Sequence, residues 1–539
     1  MPGWFRQKER YFGQTKMKPI AKALSWSEIE SSHRLMTLIV LVLGLFSFFW
    51  GERITAGDGL GWDGSQYADM VRKLEAIIGT RQLGSYYAQR ILPSAIVHGM
   101  LSLAGAAYSN LDIIRAFEIY NLTLLVVACG VWKRIANVVS LSLAGRWVGF
   151  SGVFLNYECS KQAFFYPVLT DVTALFTAMM LLMSYLERRS IGVFVTTVVG
   201  AFAWPVVSVC GALLLIFLQS GFPQEVVLPA WMRAKRLNVL ARIVKFGGGA
   251  VLALSILGYL ALIQNAASTE HECKIPKILA AVMVPSVVPC TLERLLTGLP
   301  SLTALVFALA LLIGSRAFFP AIILNLRKAP LHLIVMAIAA IVVPSVVVKA
   351  ISNPFISNPS NVQYLIEFIL LPPSGKVLLP FVTLSAFWGP LVLLLCLFWK
   401  ECCVEARRLG PGVVAVLGAS IPLGIACEPR FITVAWPFFV LVLVLALERS
   451  KATTALKCAL AVLTIVFGQF WLQINIMQWL PPDYGGILTF PKQLYFMHYG
   501  LWMSWMSYLL QLPVVVLSAI WLRRTLSKFN AAHEESPRT

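Results

Sequence analysis

Residues 35–50 read Leu35-Met36-Thr37-Leu38-Ile39-Val40-Leu41-Val42-Leu43-Gly44-Leu45-Phe46-Ser47-Phe48-Phe49-Trp50, a run with neither a charge nor a proline. A bilayer core about 30 Å thick takes about 20 apolar residues per helix. The blocks 113–132, 138–156 and 456–474 are of the same kind, and similar blocks recur to the end of the chain. Backbone amides in lipid must be satisfied within their own segment, so such blocks read as helices. A β-barrel would show short alternating segments, and the sequence has none. The fold class expected is therefore all-α, a polytopic transmembrane bundle of about 12–14 helices. Its long first outer loop, 51–112, should carry amphipathic juxtamembrane helices.

Composition agrees. The 539 residues are 58% hydrophobic and 13% charged, against about 25% charged in soluble domains. The net charge of +19 does not point to nucleic acid, because the basic residues stand in short clusters between apolar blocks. These are Arg6–Lys22, Lys133–Arg134, Arg188–Arg189, Arg233–Arg242, Arg327–Lys328, Arg407–Arg408, Arg449–Lys451 and Arg523–Lys528. This is the positive-inside pattern, which puts both termini on the cytoplasmic side. The first block follows some thirty residues without an A-x-A-like site after it and reads as a signal anchor.

Keeping every basic cluster inside dictates the path. The first helix exits at Trp50. The stretch Ile91–Tyr108 must then lie in the interface, because a crossing there would put Lys133–Arg134 and Arg188–Arg189 outside. Helices are expected at 113–132, 138–156 and 172–186. The block 191–218 should be split by Trp204-Pro205 into two short helices. Further helices fall near 245–266, 298–314, 329–351, 377–398, 411–427, 431–447, 456–474 and 501–522. The organisation expected is a cytoplasmic segment 1–32, a core membrane module 33–220, a second bundle 221–522, and a disordered polar tail 523–539.

Chemistry-bearing residues concentrate in the segments expected outside. The first reads Gly57-Asp58-Gly59-Leu60-Gly61-Trp62-Asp63-Gly64-Ser65-Gln66-Tyr67, followed by Tyr86-Tyr87-Ala88-Gln89-Arg90. Glycines beside two acids let the backbone turn sharply and bring a carboxylate near a substrate, with Trp62, Tyr67 and Tyr87 as flat partners. A solvated loop with belt aromatics explains the same residues. Asp171 opens an apolar helix, where a plain N-terminal acid would also be at home. Lys161, Arg90 and Arg430 are cations on the side where Lys and Arg are scarce. Arg presents a permanent planar fork suited to phosphate; for Arg430 a local pair with Glu428 or snorkelling to headgroups is the alternative. Cys273 and Cys290 share a loop and are candidates for pairing. His271 between Glu270 and Glu272 is a faint metal signal, and no HExxH, P-loop, Rossmann or GxSxG pattern occurs. The aromatics from Trp479 to Trp505 suit either sugar stacking or a membrane belt.

The stretch Trp62-Asp63-Gly64-x-x-Tyr67 just beyond the first helix is similar to the first-loop acidic motif of the GT-C superfamily of membrane glycosyltransferases. Tyr87-x-x-Arg90-x-Leu92-Pro93 resembles its continuation in bacterial members, and Asn156–Asp171 resembles the second-loop region of bacterial oligosaccharyltransferases. The resemblance covers about residues 30–220, and Thr170-Asp171 stands where those enzymes carry Asp-x-Asp. It implies inverting transfer of a sugar from a polyprenyl-phosphate donor to a glycan, lipid or protein acceptor, at the periplasmic face of a bacterial inner membrane. It implies Asp63 as general base with Asp58 second, Asp171 orienting the acceptor, and Arg90, Lys161 and Arg430 on the donor phosphate. Trp62, Tyr67 and Tyr87 would line the substrate. No cofactor is expected, nor a nucleic-acid partner, and a divalent metal lacks support in the motif. The alternatives are a flippase or secondary transporter, or a polymerase or ligase, for lipid-linked glycans.

Overall fold

The run that opens with Leu35 lies inside helix α1, Trp26–Trp50, about 37 Å long at 1.5 Å per residue. The structure is a computed structural model that describes residues 26–218, 326, 329–356, 378–425, 428–450, 452–475, 500, 503 and 505–534. Among these the regular structure is helical, with a single isolated bridge between Leu83 and Ser352. The expected helices 245–266 and 298–314, Cys273, Cys290, His271 and most of the aromatics between Trp479 and Trp505 lie outside the described residues.

After α1 come four short helices: α2 (Asp63–Arg72), α3 (Leu74–Thr80), α4 (Ser85–Ala88) and α5 (Ile91–Ala104). Then follow α6 (Asn110–Val138), α7 (Leu143–Phe154), α8 (Ala163–Phe165) and α9 (Asp171–Leu186). The helices α10 (Ser190–Gly200) and α11 (Val206–Ile216) flank the Trp204-Pro205 break. Beyond them are α12 (Leu331–Ile351), α13 (Leu379–Trp388), α14 (Leu391–Leu397), α15 (Trp399–Leu409) and α16 (Pro411–Ile425). The chain closes with α17 (Trp436–Arg449), α18 (Thr454–Gly468) and α19 (Trp505–Glu534). Four of these, Ser27–Trp50, Asn110–Val138, Leu331–Ile351 and Ser507–Leu526, are long and apolar enough to cross a membrane.

Several boundaries differ from those expected by a few residues, among them 138–156, which is Leu143–Phe154, and 456–474, which ends at Gly468; three differences are larger. The span 377–398 is two helices, because Gly389 takes a positive φ and Pro390 cannot continue the first. The amphipathic α15 is not among the expected helices; its Cys402, Glu405, Ala406 and Leu409 are buried while Lys400 and Arg408 are exposed. The tail does not end its helix at 522. Arg523 and Arg524 carry α19 on to Glu534.

Packing separates the charges into two ends. Helices α6 and α9 run side by side in one direction: Tyr120 Oη meets Thr173 Oγ1 at 3.0 Å near their starts, and Arg134 pairs with Glu187 at their ends. Helix α1 runs against α6, with Glu30 on Lys133 at one end and Arg53 on Glu118 at 2.7 Å towards the other. Arg189 joins Glu187, Arg408 and Arg449 share Glu405, and Glu448 takes both Ser142 and Lys457. Among the described residues, one end of the bundle thus gathers Lys133, Arg134, Arg189, Arg408 and Arg449, from four of the basic clusters that the sequence pattern assigned to a common side.

Helix α5 does not traverse the bundle. Its first turn is fixed to the α10–α11 turn by Leu92 N donating to Phe202 O at 2.9 Å. Beyond its far end, Arg72 bonds both Tyr108 O and Asn110 at the start of α6. Both anchors lie away from the basic end, so α5 lies across the opposite end, packed on α2 through Ser94–Tyr67 O and His98–Val71 O.

The centre is α17, buried on every side from Trp436 to Glu448 and packed against α7, α9, α14 and α15. A helix apolar all round belongs in a core. In contrast α1 and α12 leave Leu38, Val42, Phe49, Val335 and Ile338 exposed. Exposed faces of that kind are not stable in water.

Candidate functional site

The end opposite the basic clusters is built by three segments that meet over the core: 51–90 after α1, 155–171 between α7 and α9, and the turn 428–435 before α17. Backbone and side-chain bonds stitch the first two. Ile54 N donates to Phe165 O at 2.8 Å, and Gly64 N donates to Tyr166 Oη at 3.2 Å. Asn121 on α6 donates from Nδ2 to Ala163 O and Pro167 O at 2.9 and 3.0 Å, pinning the second segment from below.

The glycines of the first segment have distinct tasks. Gly61 adopts φ +71°, and a Cβ there would sit within the van der Waals surface of the Tyr166 ring. A Cβ on Gly64 would press on the same ring and on Val168 O, both at 3.1 Å. Tyr166 therefore fits only against bare backbone, and that contact sets where α2 begins. Gly61→Ala is expected to cost about 2–4 kcal/mol, from the left-handed strain together with overpacking. The thermal midpoint in detergent measures it, and an unchanged midpoint would remove the Gly61–Tyr166 contact as the determinant.

Asp63 is the first residue of α2 and half-buried. Tyr87 Oη approaches Asp63 Oδ1 at 3.5 Å, the long limit of a hydrogen bond. Tyr67, 2% exposed, packs edge-on against Tyr87 at 5.8 Å. Burial, with Asp63, Tyr86 and Asp171 nearby, holds the Tyr67 hydroxyl well above the ordinary phenol value despite Arg90, so it is a neutral donor. The Arg90 guanidinium lies 3.9 Å over the Tyr86 ring and 5.3 Å from that of Trp204, and Nη1 donates to Tyr86 O at 2.8 Å.

Asp171 begins α9 and is 2% exposed. It does not act as the plain helix cap that its position also allowed, since neither carboxylate oxygen has a hydrogen-bond partner among the described residues. Arg430 Nη1 lies 4.0 Å from Asp171 Oδ2, while its Nε donates to Glu428 Oε1 at 2.9 Å. The local pair with Glu428 is present, and the same guanidinium also bridges to α9. Two indoles hold that turn: Trp388 Nε1 donates to Pro429 O at 2.9 Å, and Trp436, stacked on Trp388 at 4.9 Å, donates to Gly152 O at 2.8 Å.

Asp63, Arg90, Glu428 and Arg430 all act electrostatically on Asp171. Of the residues nominated by the sequence, Asp63, Asp171, Tyr67, Tyr87, Arg90 and Arg430 come together. Three do not share that placement. Asp58 is exposed in a short 3-10 turn with φ 51°. Trp62 is 41% exposed beside Asp63. Lys161 pairs with Glu52 at 2.5 Å and donates to Leu472 O at 2.8 Å. Glu52 also accepts Ile474 N and Asn475 N, so Lys161 braces the first segment to the residues after α18.

No family model, no curated protein and no solved structure matches this chain.

Two acids that interact electrostatically with Asp171 are not among the residues nominated by the sequence. Glu428 figures there only as a partner for Arg430, and Glu158 not at all. Glu158 sits in a single π-helical turn, Glu158–Gln162, that Asn156 starts by accepting from Cys159 N and bonding back to Gly152 O and Val153 O. Turns of this kind are often found at functional sites. The available signal is Glu158-x-x-Lys161, two opposite charges between apolar blocks. The Lys stands out as a cation on the side expected to be outside, whereas a single acid there is unremarked by any charge rule.

Proposed function

We propose that the chain is a membrane glycosyltransferase of GT-C type, transferring a sugar from a polyprenyl-phosphate donor to an acceptor with inversion. The supporting observation is the meeting of Asp63 with Asp171, Arg90 and Arg430, from separate parts of the chain, at one end of an apolar helical bundle. That end corresponds to the outer face, since the basic clusters gather at the other.

In this reaction the acceptor oxygen attacks the anomeric carbon, the carbon–oxygen bond to the phosphate breaks, and the phosphate leaves with the electron pair. The phosphate is stable without protonation, its second pKa being about 6, so the chemistry asks for one base and cationic holders. Asp63 is the base, half-buried at the start of α2 with its helix dipole favouring the anion. Arg430 and Arg90 hold the phosphate, Tyr67 and Tyr87 offer hydroxyls and ring faces to the sugar, and Asp171 orients the acceptor. Lys161, committed to Glu52, supports the architecture. Displacement with a single base inverts the anomeric centre, unlike the two-carboxylate covalent route.

The test is incubation of the purified full chain with short-chain prenyl-phosphate sugars and candidate acceptors, with product detected by mass spectrometry. Net movement of intact lipid-linked glycan across proteoliposomes without bond cleavage would replace the transferase with a transporter. The orientation has its own check. In a cysteine-free background, a cysteine at Leu103 should react with an impermeant thiol reagent from outside, and one at Arg134 only from inside. The reverse pattern would invert the assignment of faces.

A further inference from the structure

Glu158 is fully buried, and neither of its carboxyl oxygens has a hydrogen-bond partner among the described residues. The charged groups that act on it are Asp171 from α9 and Glu428 and Arg430 from the turn before α17, with Tyr157 and Cys159 flanking it in its own segment. The cation among these is already committed, with Nε on Glu428 at 2.9 Å and Nη1 4.0 Å from Asp171. Among the described residues Glu158 therefore has two neighbouring carboxylates and no cation of its own. An ionised carboxylate so placed pays the full cost of desolvation without a partner.

We propose that Glu158 is the neutral carboxylic acid of the site, and that its bound proton weakens the repulsion that a cluster of four carboxyls sets against an anionic prenyl phosphodiester. Counted with every acid ionised, Asp63, Glu158, Asp171 and Glu428 outweigh Arg90 and Arg430, and the donor's phosphate would be repelled. With the proton on Glu158 the surplus falls from two negative charges to one, and the charge removed is that of the most buried of the four acids. The carboxyl then offers an O–H where its neighbours are all acceptors. Glu158 is a positioning residue in this arrangement and does not take the acceptor's proton. The coupling to the phosphodiester rests on the transferase reading; the protonation itself does not.

Burial, and next the carboxylate of Asp171, push the Glu158 carboxyl well above its ordinary value of 4.5. Burial raises Asp171 too, but Arg430, 4.0 Å away, opposes it, so of these two acids the proton belongs to Glu158. The folded chain then keeps a proton that the unfolded chain has lost, so this group makes stability fall as pH rises from about 4.5 through the folded value. Glu158→Gln keeps the shape and cannot ionise. In full-length protein in detergent, the wild-type thermal midpoint is expected to decline more steeply towards alkaline pH than that of Glu158→Gln. Parallel profiles would overturn the protonation. The ligand arm uses farnesyl-phosphoryl-glucose, a phosphodiester whose single charge is constant between about pH 5 and pH 9. Its binding to the wild type should weaken about tenfold or more at the alkaline end, the effect of one added negative charge at an effective dielectric constant of about 20. In Glu158→Gln that loss should disappear. Identical pH dependence in both proteins overturns the coupling alone. No binding by either protein at any pH overturns the transferase reading and the coupling with it, while the thermal profiles still decide the protonation.

Discussion

Asp63→Asn is expected to remove sugar transfer, by about 10²–10⁴-fold if a positioned general base contributes its usual share, while expression, insertion and thermal midpoint stay near those of the wild type. The reasoning is local. Asn preserves the size of the side chain and its place at the start of α2, and it can still accept from Tyr87 Oη, 3.5 Å away. It cannot take a proton. The side chain is half-buried, and the helix-dipole attraction lost with its charge is only about 0.3–1 kcal/mol. Initial rates of label transfer from a prenyl-phosphate sugar measure the effect. Asp58→Asn, in an exposed turn, should cost far less. Full activity in Asp63→Asn would take Asp63 out of the mechanism, and equal losses in the two variants would point to the loop as a whole.

The second large effect belongs to Arg430. Arg430→Met should lower stability by about 3–5 kcal/mol, the usual cost of leaving buried partners of an ion pair uncompensated, because Glu428 and Asp171 are each about 3% exposed in their side chains. It should also abolish binding of a prenyl phosphodiester. Arg430→Lys keeps the charge but not the fork that reaches Glu428 and Asp171 together, so it should restore part of the stability and little of the binding. The double variant Arg430→Met with Glu428→Gln removes one stranded charge and should recover stability without recovering binding. That split separates the structural role from the ligand role. A double variant no more stable than Arg430→Met would show that the Glu428 pair contributes little.

Much of the helical framework is legible in the order of the amino acids. The helix ends at Trp50 and Leu186, the break at Trp204-Pro205 and the failure of Ile91–Ala104 to run through the bundle all follow from apolar block length, proline chemistry and the placement of Lys and Arg. These are local signals, or sums over local signals, and a single chain carries them. The extra helix at Trp399–Leu409 escapes such a reading because charged residues at Lys400, Glu401, Arg407 and Arg408 mask an apolar face that needs a neighbour to be recognised.

The amino-acid order by itself determined that the chain is an all-helical, lipid-suited protein and that its acids and a few cations crowd the segments between particular helices. It could nominate Asp63, Asp171, Arg90 and Arg430 one at a time. Only the tertiary structure decided that these four meet, that Lys161 is committed to Glu52, and that Glu158 is a buried acid without a partner. The reason is physical: a side chain's charge state and availability depend on burial and on partners remote in sequence, here 422 residues apart for Glu52 and Ile474, and no local pattern records which distant group has already claimed it.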